Sequence, residues 1–420
     1  MIDATPDVAA MERQIAAISP GDAAAFRRYM QDNRVKMERF RPALEQPFLG
    51  WADLLRPAML KLLPLLAPHR SLMKATSGYF RDKRIQIAFT FQAKYLGMSP
   101  FRCPSLFSIL AFLEYEHGVF HPIGGCGAVS QAMARTARAL GARIHLGEPV
   151  EGLIFEGRRV IGARTRAGAY RADAVVLNAD FAHAMRHLVP DALRRRWRDA
   201  KVARKRFSCS TFMLYLGLDG APDHLPHHSI YIAEDYRRNL EEIERGHTLS
   251  DDPSFYVQNA CVTDPGLAPR GCSTLYVLVP VTHRHPNVDW SVETPRYRRI
   301  ALDQLARAGF QDVERRIRFE RVLTPTHWED EMNIHLGATF NLSHSFDQML
   351  HFRPRNRFED IDGMYIVGGG THPGSGLPVI YEGARISSRL LLQDLERDAS
   401  FLDRHGDALQ APAAELRAAE

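Results

Sequence analysis

Residues 363–395, GMYIVGGGTHPGSGLPVIYEGARISSRLLLQDL, constrain the fold more than any other stretch of the chain. MYIV is a short apolar run. Gly368, Gly369 and Gly370 follow it at once, then Thr371, His372, Pro373, Gly374, Ser375 and Gly376, and a helical run begins at Leu377. Strand, glycine-rich turn and helix in that order form a joint of an α/β sheet. Glycines at the joint let the backbone approach a bulky ligand, and they leave the first N–H groups of the helix free. Such amides suit a phosphate or another electron-rich oxygen. A mere tight turn has no need of so many glycines.

The rest of the chain alternates helices with two kinds of strand. HPIGGCGAVSQAMARTARAL carries a second glycine cluster, Gly124-Gly125-Cys126-Gly127, and a helix over 129–140. RIHLGEPV and RRVIGARTRAG read as strands, with turns at Gly147 and Gly157. AVVLNAD (174–180) is continuously apolar and ends in a turn, the pattern of a parallel strand. CSTFMLYLGLDG (209–220) and STLYVLVPVTH (273–283) alternate as strands of a second sheet. DYRRNLEEIER and PRYRRIALDQLARAGF read as helices. Near the start, 19–41 predicts a helix with Ser19 or Asp22 as cap. Residues 53–67, DLLRPAMLKLLPLLA, are the greasiest segment, and Pro57 and Pro64 divide it into one or two short helices. It is too short to span a bilayer. With Arg56 and Lys61 among its leucines it suits a membrane surface, and a buried helix pair fits equally well. The basic stretch 189–206 reads as a helix with a solvated face, ahead of a membrane-surface patch. The tail beyond Arg397 is Ala-rich and charged, and reads as frayed.

Composition removes several function classes. The 420 residues hold 45% apolar and 25% charged side chains, which is globular, and 54 Lys+Arg against 49 Asp+Glu give a net charge of only +5. No nucleic-acid module accompanies that mild basicity. The five cysteines (103, 126, 209, 261 and 272) contain no C-x-x-C pair. Reduced thiols in a cytoplasmic compartment fit better than a disulfide framework or a zinc site. His227-His228 and His283/His285 lack a carboxylate or cysteine at ligand spacing, so no metal is expected there. No G-x-S-x-G elbow supports hydrolase chemistry. The N-terminus has no basic region followed by an apolar one, and so does not read as a secretory signal.

The 363–395 block resembles the C-terminal signature of the bacterial-type phytoene desaturases, FAD-dependent carotenoid desaturases with isomerase and oxygenase relatives. GVFHPIGGCGAVSQAMARTARALGARI, FSCSTFMLYLGL, HHSIYIAEDY, DPGLAPRG, YVLVPVTH and THWEDEMNIHLGATFNLSHSFDQMLHFRPRNR resemble further blocks of that family, in its order, from about residue 3 to about 395. The resemblance implies an α/β fold of mixed α+β character. It consists of a partial FAD-binding, Rossmann-like domain and a substrate domain of mixed sheet and helices, as in amine oxidases. On this reading 1–120 is a mostly helical, substrate- and membrane-facing region. Segments 121–180 and 336–397 build the FAD domain, 181–335 is the substrate domain, and 398–420 is a tail.

The resemblance also implies roles for residues. Gly368, Gly369 and Gly370 would lie near the FAD ribityl and pyrophosphate, and Thr371 and Gly374 are further cofactor-binding candidates. Gly376, Leu377, Pro378 and Val379 would set a helix N-terminus against the flavin's pyrimidine edge, where the helix dipole favours the anionic reduced form by ~0.3–1 kcal/mol. Val150 would meet the adenine, and Gly124 and Gly125 would turn the chain toward the cofactor. His372 is the candidate for tuning or proton transfer, with turn stabilisation as its plainer role. The implied activity is hydride transfer from a long apolar polyene to FAD. Isomerisation, saturation and oxygen insertion remain open within the family. The implied location is cytoplasmic, with peripheral contact to the membrane and no nucleic-acid partner.

One departure is large. The family's opening strand–turn–helix, a G-x-G-x-x-G fingerprint that binds the FAD pyrophosphate, has no counterpart in the sequence. Three accounts fit at this level. The natural start lies further upstream, a separate chain supplies the missing half, or the chain is a homologue or partner subunit without flavin.

Overall fold

Ten strands form among residues 1–222 and 224–402, which the computed structural model of the protein describes. In chain order they are β1 (Val150–Glu156), β2 (Arg159–Thr165), β3 (Gly168–Arg171), β4 (Val175–Leu177), β5 (Ser210–Asp219), β6 (His228–Tyr231), β7 (Phe255–Gln258), β8 (Cys272–Val281), β9 (Ile317–Leu323) and β10 (Met364–Ile366). They fall into two units. The first comprises Met1–Arg39, Leu62–Glu148 and Lys205–Phe346. The second comprises Phe40–Lys61, Pro149–Arg204 and the described residues from Asp347 onward. Compared with the five-part division given above, 121–148 and 336–346 join the first unit, while 40–61 and 181–204 join the second. At 121–124 the tie is direct: Asp264, also of the first unit, accepts the Gly124 N–H at 2.6 Å and lies 3.2 Å from His121 Nε2.

The first unit is built on a five-stranded sheet in the order β6-β7-β8-β5-β9. It is antiparallel throughout, where a mixed sheet was expected. Alternation in β5 and β8 sends Phe212, Leu214, Leu216 and Leu218, with Leu275, Val277, Val279 and Val281, to one face. The register pairs Phe212 with Val279, Leu214 with Val277 and Leu216 with Leu275. Trp290, Tyr297, Leu302 and Leu305 of helix Trp290–Arg307 cover that face. A second, aromatic core gathers Phe26, Tyr29, Phe80, Phe89 and Tyr115, with Phe80 and Phe89 stacked at 4.8 Å. The helix expected at 19–41 runs from Ala23 to Leu44, after a single tight turn at Pro20–Asp22. Asp22 does more than a cap: its buried carboxylate accepts the backbone amides of Arg81 and Asp82, each at 2.9 Å.

In the second unit, β1, β2 and β3 form an antiparallel sheet, and β10 pairs in parallel with β4, Met364 opposite Val175 and Ile366 opposite Leu177. Helix Leu377–Asp394 follows β10 and packs Ile386 and Leu390 onto Tyr365. The strand, turn and helix read from residues 363–395 are therefore present in order, and AVVLNAD is a parallel strand as its apolar run predicts.

Two expectations fail for identifiable reasons. Residues 143–147 are not a strand but exposed coil, and β1 begins only at Val150. A strand needs a neighbour to take its backbone groups, and no described strand pairs there. The basic stretch 189–206 is not a continuous helix. Helix Phe181–Leu188 stops ahead of Pro190, and beyond it only a single 3-10 turn, Asp191–Leu193, and the short helix Asp199–Val202 form. Arg194 and Trp197 are buried, and the amides of Arg195 and Arg196 donate to Asp360 Oδ2 at 2.8 and 2.9 Å. The run is thus folded into its own unit by a buried carboxylate. The expected tail at 398–420 lies mostly outside the described residues.

Candidate cofactor site

Because β4 and β10 run parallel, their C-terminal ends lie side by side, and ligands of α/β sheets bind beyond such ends. Asn178 leaves β4 there, and Val367–Gly370 leave β10. Gly368 has φ +93°, and a Cβ on it would stand 3.0 Å from Asn178 Oδ1. A Cβ on Gly369 would stand 2.7 Å from Ser375 Oγ. The turn is thus a backbone cradle that side chains would fill. Gly376, φ +108°, is the N-cap of helix Leu377–Asp394 and supplies no side-chain cap, so the first amides of the helix stay open. Pro378 costs nothing there, since that amide has no helical acceptor.

A buried polar frame holds the turn from behind. Arg353 donates to the carbonyls of Gly369 (2.6 Å) and Thr371 (3.1 Å). Asn356 Nδ2 donates to the carbonyls of His372 (2.9 Å) and Gly383 (3.3 Å) and to Ser387 Oγ (3.2 Å). Ser387 passes its own proton to the Ile366 carbonyl at 2.7 Å, and Thr371 Oγ1 donates to the Pro354 carbonyl at 2.6 Å. Gly383 packs closely here, since a Cβ would stand 3.2 Å from the His372 carbonyl and crowd it.

His372 is 1% exposed and lies edge-on to Phe48 at 5.0 Å. Burial first, and the Arg353 cation second, pull its pKa down to about 3, so the imidazole is neutral at ordinary pH. Backbone groups of Ala43, Leu44 and Gln46 stand close to the ring, yet neither ring nitrogen meets hydrogen-bond geometry with any of them. The ring is thus packed inside the turn beside Phe48.

The structure brings Gly368, Gly369, Gly370, Thr371, Gly374, Gly376, Leu377, Pro378 and Val379 together in one loop and helix start. Val150 opens β1 in the same unit and is partly exposed. Gly124 and Gly125 belong to the first unit, with φ +85° and +76° at the start of helix Gly125–Ala139. Their anchor, Asp264, is held below the usual carboxylate range by the Gly124 amide and His121. Sequence reading missed Arg353, Asn356, Asn178 and Asp264. In RPRNR the two frame residues look like part of an exposed charge run. Only the apolar residues around HFRPRNRF hinted at burial.

The sequence pattern of the family described as "Flavin containing amine oxidoreductase" matches residues 14–391. A 4,4'-diapophytoene desaturase (4,4'-diapolycopene-forming) of Methylomonas sp is 43% identical over 385 residues, which is 91% of this chain and 75% of that protein. An all-trans-zeta-carotene desaturase of Myxococcus xanthus is 41% identical, over 94% of this chain and 75% of its own length. The chain belongs to the phytoene desaturase family of flavin-containing amine oxidoreductases. Solved structures agree on the fold. An oxidoreductase from Methanosarcina mazei superposes with a TM-score of 0.53 at 17% identity, covering 83% of this chain and 74% of the other. A putrescine oxidase triple mutant gives 0.52 at 12%, covering 89% and 76%. As a phytoene desaturase family member the chain is an oxidoreductase with a flavin cofactor. The cradle fits that group: the N–H groups of Gly369 and Gly370 have no acceptor among the described residues, and the helix start beside them is uncapped.

Proposed function

We propose that the chain is an FAD-dependent desaturase of a carotenoid or related long polyene. The observation that carries this is the open-amide turn and uncapped helix start beyond a parallel strand pair, in a chain 43% identical to a diapophytoene desaturase. When bound, FAD would supply the acceptor for a hydride from one saturated carbon of the polyene, the neighbouring carbon releasing a proton to solvent as the double bond forms, chemistry that no amino-acid side chain supplies. The protein's part is to bind and orient. Gly369 and Gly370 offer amides to an electron-rich oxygen. The start of helix Leu377–Asp394 adds its dipole, worth ~0.3–1 kcal/mol toward an anion. Glycine-sized positions let the ligand approach the backbone, and Arg353 and Asn356 hold that backbone fixed.

The remaining parts of the reading concern partners. A polyene resides in lipid, which gives a use to the exposed Trp51, Leu55, Leu60 and Leu63 as a docking face on the cytoplasmic leaflet. The fingerprint half of the FAD domain would come from a strand–turn–helix segment pairing with β4, which among described strands has β10 alone as neighbour. The deciding experiment reconstitutes the purified chain with FAD and incubates it with a C30 or C40 polyene precursor in detergent or liposomes. Bleaching of the flavin absorbance and products with added conjugated double bonds are expected. Unchanged substrate with fully bound FAD would reject the assignment.

A further inference from the structure

A buried arginine is an expensive thing to place behind a turn. Taking a cation out of water costs several kcal/mol even after relaxation, so side-chain packing alone does not account for it. Arg353 is 1% exposed. Burial lowers its pKa to about 9, and the cation therefore persists at neutral pH. The guanidinium meets three backbone carbonyls, those of Gly369 at 2.6 Å, Thr371 at 3.1 Å and Gln348 at 3.3 Å. Only a planar fork with donors in fixed directions reaches all three, and a lysine ammonium does not reproduce it.

The peptide bond turns those contacts into a function. Within one planar peptide the C=O and the following N–H point in opposite directions. With the Gly369 carbonyl drawn onto Arg353, the Gly370 N–H must face away from it. That N–H has no acceptor among the described residues. The preceding peptide is fixed separately: the Gly368 carbonyl accepts the Thr371 amide at 3.3 Å, which leaves the Gly369 N–H free as well. Two adjacent amides are thus free, and the second, that of Gly370, faces away from a buried cation.

We infer that Arg353 is a positioning residue for the cofactor, setting the amides of the Gly369–Gly370 turn toward the flavin nucleotide and lending the turn a fixed positive potential. The inference rests on the flavin reading given above and deepens it. The cation favours whichever state of the bound group carries more negative charge, so it stabilises reduced over oxidised flavin.

Arg353→Lys and Arg353→Met in the full chain test it. Three quantities are measured: FAD affinity by quenching of flavin fluorescence, the reduction potential of bound FAD, and amide hydrogen exchange of the peptide covering 367–376 without FAD. Arg353→Met is expected to weaken FAD binding at least tenfold and to lower the preference for reduced flavin about tenfold, ~30 mV for a two-electron couple. Exchange in 367–376 is expected to accelerate while peptides of β5 and β8 keep wild-type rates. Arg353→Lys keeps the charge and loses the fork, so it should retain more of the potential than of the affinity. Wild-type affinity and potential in both variants would overturn the inference and leave the flavin reading standing. If the wild-type chain binds no FAD even with the fingerprint strand–turn–helix segment added, the flavin reading fails. The positioning role falls with it, whatever the exchange rates at 367–376. Should Arg353→Met not fold, Arg353→Lys carries the same comparison.

Discussion

At the residue scale, chemistry that looked alike in the sequence separates by burial. His372 and Arg353 are both basic and both 1% exposed, yet one is held neutral and the other stays charged. The neutral histidine has a consequence for stability. Its folded pKa of about 3 lies below the ordinary value of 6.5, so below pH 6.5 the unfolded chain takes up a proton that the folded chain refuses. The stability it contributes is therefore complete above pH 6.5 and drains away as the pH falls toward 3. Glu114, whose pKa burial raises, works in the opposite sense. The difference between wild type and His372→Gln isolates the histidine. Urea melts from pH 7 to 4 should show the wild type losing more stability than the variant, by a few kcal/mol at the acid end. Parallel acid limbs would mean that His372 is not buried neutral. The glycines of the turn were legible as a cradle because their role is backbone geometry, which a one-letter code displays. Arg353 and Asn356 were not, since nothing local distinguishes an arginine that bonds carbonyls from one that bonds water.

At the scale of elements, legibility follows how self-sufficient an element is. β5 and β8 alternate apolar residues over ten positions each, and the structure pairs them along their whole length. Period and burial agree, so the sequence suffices. Removing one side chain from that face is expected to be costly: Leu214→Ala, fully buried between Val277 and the helix Trp290–Arg307 cluster, should lower stability by ~2–5 kcal/mol in denaturant melts. The segment 143–147 shows the converse. Its pattern is that of a strand, but pairing is a property of two segments, and the chain offers it none among the described strands. Leu146→Ser should therefore change stability by no more than ~0.5 kcal/mol, a contrast with Leu214→Ala readable in the same melts. The basic stretch at 189–206 was misread for a third reason. Composition indicated exposure, whereas Asp360, 160 or more residues away in sequence, ties its backbone down.

At the scale of the whole molecule, the question is what brings an insoluble polyene to the chain. No described helix is long and apolar enough to cross a membrane. Helix Pro57–Leu66 and the turn Trp51–Leu55 before it nevertheless leave large apolar groups in water: Trp51 at 67%, Leu55 at 73%, Leu60 at 50% and Leu63 at 58% exposure. Two forces compete to explain any attachment. A cation near an anionic surface contributes ~1 kcal/mol, and Lys61 is exposed while Arg56 is paired with Asp53 at 2.6 Å. Full burial of a leucine contributes ~1.5–3 kcal/mol, so even four half-exposed apolar groups outweigh one free cation severalfold. Attachment should then depend on the apolar face and be tolerant of salt. In flotation with vesicles of neutral and anionic lipid, the wild type is expected to rise with the lipid at both low and 0.5 M salt, the latter shortening the Debye length to a few ångströms (~4 Å). The double variant Leu60→Asp, Leu63→Asp should stay at the bottom of the gradient with an unchanged melting temperature, because neither side chain is in the core. Flotation that survives the double substitution but collapses in salt would assign the attachment to charge instead, and no flotation of the wild type on either lipid would remove the docking face from the proposal.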